Sequence, residues 1–210
     1  MAYLTSEQVR DLGLRNVGEN VLISDRCVIY DPARTSIGDN SRVDDFCVLA
    51  GEIDVGRNVH VTVFCNLAGG RSGLSIGDFS TLAYGCHIIA QSDDYSGETM
   101  TNSTVPARFK SERSERVEIG EHVILGAGTV VLEGVRLADG TAAGARTLFL
   151  KSSEPWTIYV GQPARKLRPR SNNLLTLAKE FEREMNNDRT ASGREGGIRT
   201  RDPLLPKQVR

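Results

Sequence analysis

Aliphatic side chains recur every six residues along most of this 210-residue chain. They stand at Val17, Ile23 and Ile29, then at Ile37, Val43, Leu49, Val55, Val61 and Leu67. The series resumes at Ile76, Leu82 and Ile88, and again at Ile119, Leu125, Val131, Leu137, Ala143 and Phe149. Glycine often follows directly, as in Ile37-Gly38, Val55-Gly56, Ile76-Gly77, Ile119-Gly120 and Leu125-Gly126. A period of six fits neither a helix at about 3.6 residues per turn nor the alternation of a lone strand. It fits short strands separated by tight turns, coiled so that each rung pairs with the rungs above and below. With 21 glycines and 6% aromatic residues, the chain is suited to frequent turning and to packing small side chains.

Over roughly residues 17–168 this pattern resembles the hexapeptide-repeat acyltransferase family. The resemblance implies an all-β fold: a left-handed parallel β-helix of about six coils, three-sided, with three hexapeptides per coil. On that frame the first face begins at Val17, the second at Ile23 and the third at Ile29. The breaks in the period, between Ile29 and Ile37, Leu67 and Ile76, and Ile88 and Ile119, then all fall at one corner. Insertions confined to one corner leave the core register intact.

Cys27, Cys47, Cys65 and Cys86 each stand two residues before an aliphatic of the third face. In the family this is a small inward position, occupied on other rungs by Thr35, Ser41, Ser80, Thr129 and Thr141. The four cysteines are therefore expected as an interior ladder about one strand spacing, ~4.8 Å, apart. They act as small buried hydrophobes rather than as a metal site, since no C-x-x-C spacing occurs. Free thiols point to a reduced, cytoplasmic compartment. His60, His87 and His122 are scattered over different faces, unlike the zinc sites of β-helical carbonic anhydrases, so no metal is expected.

Outward positions distinguish the faces. Before the aliphatic, the first face carries Asn16, Ser36, Asp54, Ser75, Glu118 and Arg136, a solvated wall. The third face carries Val28, Val48, Val130 and Leu148 there, and Tyr30, Ile89, Leu132 and Leu150 just after. An apolar outer wall marks an interaction surface, covered either by the chain's own termini or by another copy. The family forms trimers with active sites between subunits, so the resemblance implies a homotrimer built on this face. Asn66 and His87 are the polar exceptions in its middle.

The insertion at residues 91–117 is long for a compact repeat, and such loops are usually functional. It resembles the loop of the galactoside and maltose O-acetyltransferases and of the surface-polysaccharide O-acetyltransferases. In the galactoside and maltose enzymes a histidine base stands five residues past the last aliphatic; here that place holds Asp93. Acyl transfer needs a base for the attacking group and a donor for the developing oxyanion. Two candidates for the base stand open. Asp93 has the matching position, and Asp94 beside it would raise its proton affinity; His87 has the better intrinsic pKa. Asn66 matches an asparagine beside the acceptor pocket, and Asp94 and Tyr95 are candidate acceptor contacts.

Near the C-terminus, Leu150-Lys151-Ser152-Ser153 and Gly161-Gln162-Pro163-Ala164-Arg165 resemble the family's final coil and its G-x-P-A-[RK] ending. The resemblance implies acetyl-coenzyme A as co-substrate. Lys151 and Arg165 would meet its phosphates, with Lys166, Arg168 and Arg170 extending the basic run. Gly126, Gly144 and Ala145 would leave a groove for the pantetheine arm.

Thr5-Ser6-Glu7-Gln8 resembles a helix start, so residues 1–16 are expected to cap the first coil. Residues 169–186 are expected to form a second amphipathic helix. Residues 187–210 are expected as a disordered tail, with Gly196–Pro206 resembling read-through into a transfer-RNA gene. Residues 1–10 lack a signal-peptide core, and no apolar run approaches a spanning helix. With 26 basic against 27 acidic residues, nothing draws the chain to nucleic acid or membrane. The reading that follows is a coenzyme A-dependent O-acetyltransferase acting on a sugar or sugar-linked carrier, in surface polysaccharide (O-antigen or capsule) biosynthesis. N-acylation of a nucleotide-linked amino sugar is the nearest alternative, and a non-catalytic β-helix scaffold is the second.

Overall fold

A computed structural model describes residues 2–192, and they divide into two compact units after Arg170. The first unit is a parallel β-solenoid whose rungs pair in the register that the six-residue period predicts. On the first face Val17 pairs with Ile37, Ile37 with Val55, Val55 with Ile76, Ile76 with Ile119 and Ile119 with Leu137. The second face runs Ile23, Val43, Val61, Leu82, Leu125, Ala143. The third runs Ile29, Leu49, Leu67, Ile88, Val131, Phe149. All but Val17 and Ile29, in the first coil, are buried.

The inward positions two residues earlier complete the core. Cys47, Cys65, Cys86, Thr35, Ser41, Ser80, Thr129 and Thr141 are all buried, and all four cysteines are free. Burial pushes the Cys27 thiol up to about 12, which keeps it protonated and unreactive. On the first face the same column holds larger groups, Ile53, Leu74, Val117 and Val135. With Val59 and Val123 in the same column of the second face, they fill the volume beside the smaller cysteine, serine and threonine positions.

The solenoid has a seventh turn that the period does not reveal. Thr157–Val160 pairs in parallel with Ala142-Ala143, placing Tyr159 below Ala143. Tyr159 lies sixteen residues past its partner Ala143 rather than the eighteen of a full coil, and a tyrosine stands where the period uses aliphatics. Its ring packs against Phe149 at 5.5 Å and closes the end of the core. Arg165–Pro169 then folds back antiparallel on Thr157–Val160, covering that edge of the second-face sheet.

The N-terminal helix is Ser6–Asp11, opened by a capping box between Thr5 and Gln8. The C-terminal unit is a helix over Leu174–Ser192, so residues 187–192, expected in the tail, are helical. No glycine or proline interrupts the chain until Gly193, and nothing before it stops a helix. Residues 193–210, the rest of the expected tail, lie outside the described residues. Among the described residues no helix is long and apolar enough to cross a membrane.

Candidate active site

The chain leaves the solenoid after Ile88 and returns at Val117, and the excursion is ordered. Gln91-Ser92 pairs antiparallel with Arg113-Ser114, so the outgoing and returning segments form the base of a hairpin. Gln91 Nε2 donates to Glu112 Oε2 at 2.8 Å, and Lys110 Nζ donates to Glu112 Oε1 at 2.6 Å. Lys110 holds the Glu112 carboxyl below its usual range. Ser72 and Ser114 hydroxyls meet at 2.8 Å and join the hairpin to the preceding coil. None of these partners is legible from spacing, because each depends on how the insertion folds back.

The two aspartates of the loop differ. Asp94 is tied to its own turn: Oδ1 accepts from the Ser96 N–H at 2.8 Å, and Oδ2 from the Thr99 N–H at 2.9 Å and hydroxyl at 2.8 Å. Hydrogen bonds from Ser96 and then Thr99 bring its pKa down to about 2. The expected mutual raising of proton affinity therefore fails for Asp94, since the loop donors stabilise its charged form. Asp93 is half-buried and accepts one hydrogen bond among the described residues, from the Asn102 N–H to Oδ2 at 3.2 Å, which leaves Oδ1 open. Tyr95 is 92% exposed.

Asn66 and His87 are strand partners on the third face, as their register requires, with Val48 and Val130 on either side of the pair. His87 is exposed, and among the described residues its side chain makes no hydrogen bond or ion pair. The loop does not link Asp93 to it by any hydrogen bond. The wall around them stays partly open: Val28 is 44%, Tyr30 60% and Leu150 52% exposed.

The candidate cofactor residues separate in the same way. Lys151 and Arg165 are exposed, and neither forms a side-chain hydrogen bond or ion pair among the described residues. Lys166 instead pairs with Glu154. Arg170 donates to the His122 carbonyl at 2.7 Å and the Gly140 carbonyl at 3.0 Å, under the Trp156 ring. It braces the last turns and is removed from the basic run. Ala145 is exposed at a corner. Gly126 and Gly144 have a packing reason of their own: a Cβ on Gly126 would lie 2.6 Å from the Ala145 nitrogen, and one on Gly144 would lie 2.9 Å from Val160.

The other two histidines belong to the scaffold. His60 Nε2 meets Asp44 at 2.9 Å, in a cluster with Arg42 and the Tyr3 hydroxyl that ties down the N-terminal segment. His122 stacks on Phe79 at 5.1 Å. Among the described residues no group of three or more histidine, cysteine, aspartate or glutamate side chains is arranged to hold a metal ion.

No family model matches the chain. It is 38% identical over 184 residues to the dTDP-4-amino-4,6-dideoxy-D-glucose acyltransferase of Escherichia coli, covering 86% of this chain and 95% of that protein. Among solved structures it is similar to AntD, an N-acyltransferase from Bacillus cereus in complex with dTDP and 3-hydroxybutyryl-CoA. That match has a TM-score of 0.86 at 35% identity, over 88% of this chain and 98% of AntD. A variant of AntD in complex with dTDP-4-amino-4,6-dideoxyglucose and coenzyme A matches with a TM-score of 0.85, again at 35% identity, over 87% of this chain and 97% of that one. A maltose O-acetyltransferase from Clostridium difficile shares the fold alone, at 18% identity and a TM-score of 0.52, over 79% of this chain and 75% of the enzyme. The preference for O-acetylation drawn from the loop is therefore displaced toward the amino-sugar alternative, because whole-chain likeness weighs more than one loop's outline. The rung register, the hairpin insertion and the near full-length similarity to an acyltransferase agree, and the chain belongs to the hexapeptide-repeat acyltransferase family.

Proposed function

We propose that this protein transfers an acyl group from an acyl-coenzyme A to the amino group of a nucleotide-linked amino-deoxysugar. The observation that carries this reading is the likeness, at 38% identity and over 95% of its length, to an enzyme named for dTDP-4-amino-4,6-dideoxy-D-glucose.

The amine attacks the thioester carbonyl, a C–N bond forms, and the C–S bond breaks to release coenzyme A. An amine is the better nucleophile, and once attached it carries a proton acidic enough for a carboxylate to accept. A hydroxyl must lose its proton as it attacks and needs the stronger base that a histidine supplies. Asp93 at the family's histidine position suits the amine. Asp93 takes the proton, Asn66 and His87 line the acceptor side, and Tyr95 and Asp94 shape the loop beside it. Lys151 and Arg165 hold the cofactor's phosphates, with the pantetheine arm along Gly126, Gly144 and Ala145. The free thiols of the core suit a cytoplasmic setting.

The direct test supplies acetyl-coenzyme A with either dTDP-4-amino-4,6-dideoxyglucose or maltose. Thiol release and an N-acetyl product are expected with the amino sugar alone. Turnover on maltose with none on the amino sugar overturns the reading.

A trimer on the third face completes the proposal. Val130 and Leu132 flank Val131 on a wall that would otherwise leave apolar surface in water. Val130→Glu with Leu132→Glu is expected to convert a trimer to monomer by light scattering. A monomeric unaltered protein would remove this assignment.

A further inference from the structure

Glu133 lies on the coil after the insertion, two residues beyond Val131, the strand partner of Ile88. Its Oε1 accepts from the Ser92 hydroxyl at 3.0 Å, and Arg113 Nε stands 4.0 Å from the same oxygen. Ser92 and Arg113 are themselves a strand pair at the hairpin base, one on the outgoing segment and one on the returning segment. The Glu133 side chain is only 12% exposed, and its Oε2 is buried with no hydrogen-bond partner among the described residues. A mostly buried carboxylate with one oxygen unsatisfied is costly, and at a solenoid corner a neutral side chain would do as well for the fold. What the carboxylate adds here is a single point to which both strands of the insertion are fastened. The backbone repeats the fastening, since the Glu115 N–H donates to the Ala90 carbonyl at 3.0 Å and the Gly134 N–H to the Glu115 carbonyl at 3.3 Å.

We propose that Glu133 is a positioning residue for acyl transfer: through Ser92 and Arg113 it fixes the hairpin base and so sets the reach of the adjacent Asp93 toward the acceptor. This rests on the reading of Asp93 as the base. The other oxygen-bearing groups facing the hairpin base have different duties. Glu112 serves Gln91 and Lys110, and Asp94 serves Ser96 and Thr99. Ser92 is thus the residue next to Asp93 whose side chain is held from outside the loop, and Glu133 holds it.

The test compares Glu133→Ala and Glu133→Gln in the full chain. Glu133→Ala removes the acceptor for the Ser92 hydroxyl and should lower kcat for the amino sugar about 10–100-fold, since misplacement of about 1 Å costs up to ~10²-fold. Coenzyme A affinity should not change. Glu133→Gln keeps an oxygen for Ser92 and should restore kcat to within about fivefold of the unaltered protein, as a neutral hydrogen bond retains most of the tie. Amide hydrogen exchange across residues 91–117, measured without substrates, should be faster in Glu133→Ala and near normal in Glu133→Gln. Unchanged exchange in Glu133→Ala overturns the fastening, and faster exchange with unchanged kcat overturns the positioning role. An unaltered protein inactive on the amino sugar would defeat the acceptor reading, while exchange still decides the fastening. Should Glu133→Ala not fold, Ser92→Ala removes only the hydroxyl and is read in the same two ways.

Discussion

Asp93→Asn is expected to slow the chemical step about 10²–10⁴-fold while coenzyme A still binds. Asparagine keeps the shape of the side chain and an oxygen for the Asn102 N–H, so the loop contact at 3.2 Å survives and only proton acceptance is lost. Asp94 cannot substitute. With its pKa near 2 it stays ionised at neutral pH, and its oxygens are already engaged by Ser96 and Thr99. Single-turnover rates of Asp93→Asn and His87→Ala, measured with the amino sugar, separate the two candidates. His87→Ala is expected to cost much less, because His87 sits on the third-face wall with no partner to orient its ring. If Asp93→Asn keeps its rate and His87→Ala loses it, the roles are exchanged. If both keep near-full rates, neither is the base.

Removing the exposed cations at the C-terminal end is the second large effect. Lys151→Ala and Arg165→Ala are each expected to weaken coenzyme A binding about tenfold, the size of one charge-assisted contact. The double variant should lose about a hundredfold, as two independent contacts add. Both side chains are exposed and without partners among the described residues, so their replacement leaves the fold unstrained. Lys166→Ala is the control. Lys166 is occupied by Glu154 and should change affinity little. Calorimetry with coenzyme A reads all of these. Unchanged affinity in Lys151→Ala and Arg165→Ala would place the phosphates elsewhere.

Whether the acceptor presents nitrogen or oxygen was not written in the loop. The outline of the insertion resembles an O-acetyltransferase, yet the whole chain matches amino-sugar acyltransferases. Asp93 in place of histidine is where the loop departs from those enzymes. A substituted base says little alone, because its strength depends on surroundings that only the folded loop supplies. The same limit applied to Asp94, whose neighbour in sequence suggested a raised pKa and whose neighbours in space, Ser96 and Thr99, lower it.

The sequence by itself determined the six-residue rung; with the family resemblance it carries, it also assigned seventeen aliphatics and Phe149 to three faces, made the cysteines an inward ladder and paired Asn66 with His87. These follow from one local rule. A six-residue rung repeats its own geometry, and a slip of register would turn a buried column outward. Only the tertiary structure decided what happens where that rule lapses. The seventh turn depends on Tyr159 meeting Phe149, and Arg170 leaves the basic run to cap carbonyls of distant turns. Glu112 and Glu133 meet the outgoing strand of the hairpin across separations of 21 and 41 residues. Such contacts carry no period, since they arise when a long excursion returns to the coil it left, and its return path is set by packing rather than by spacing.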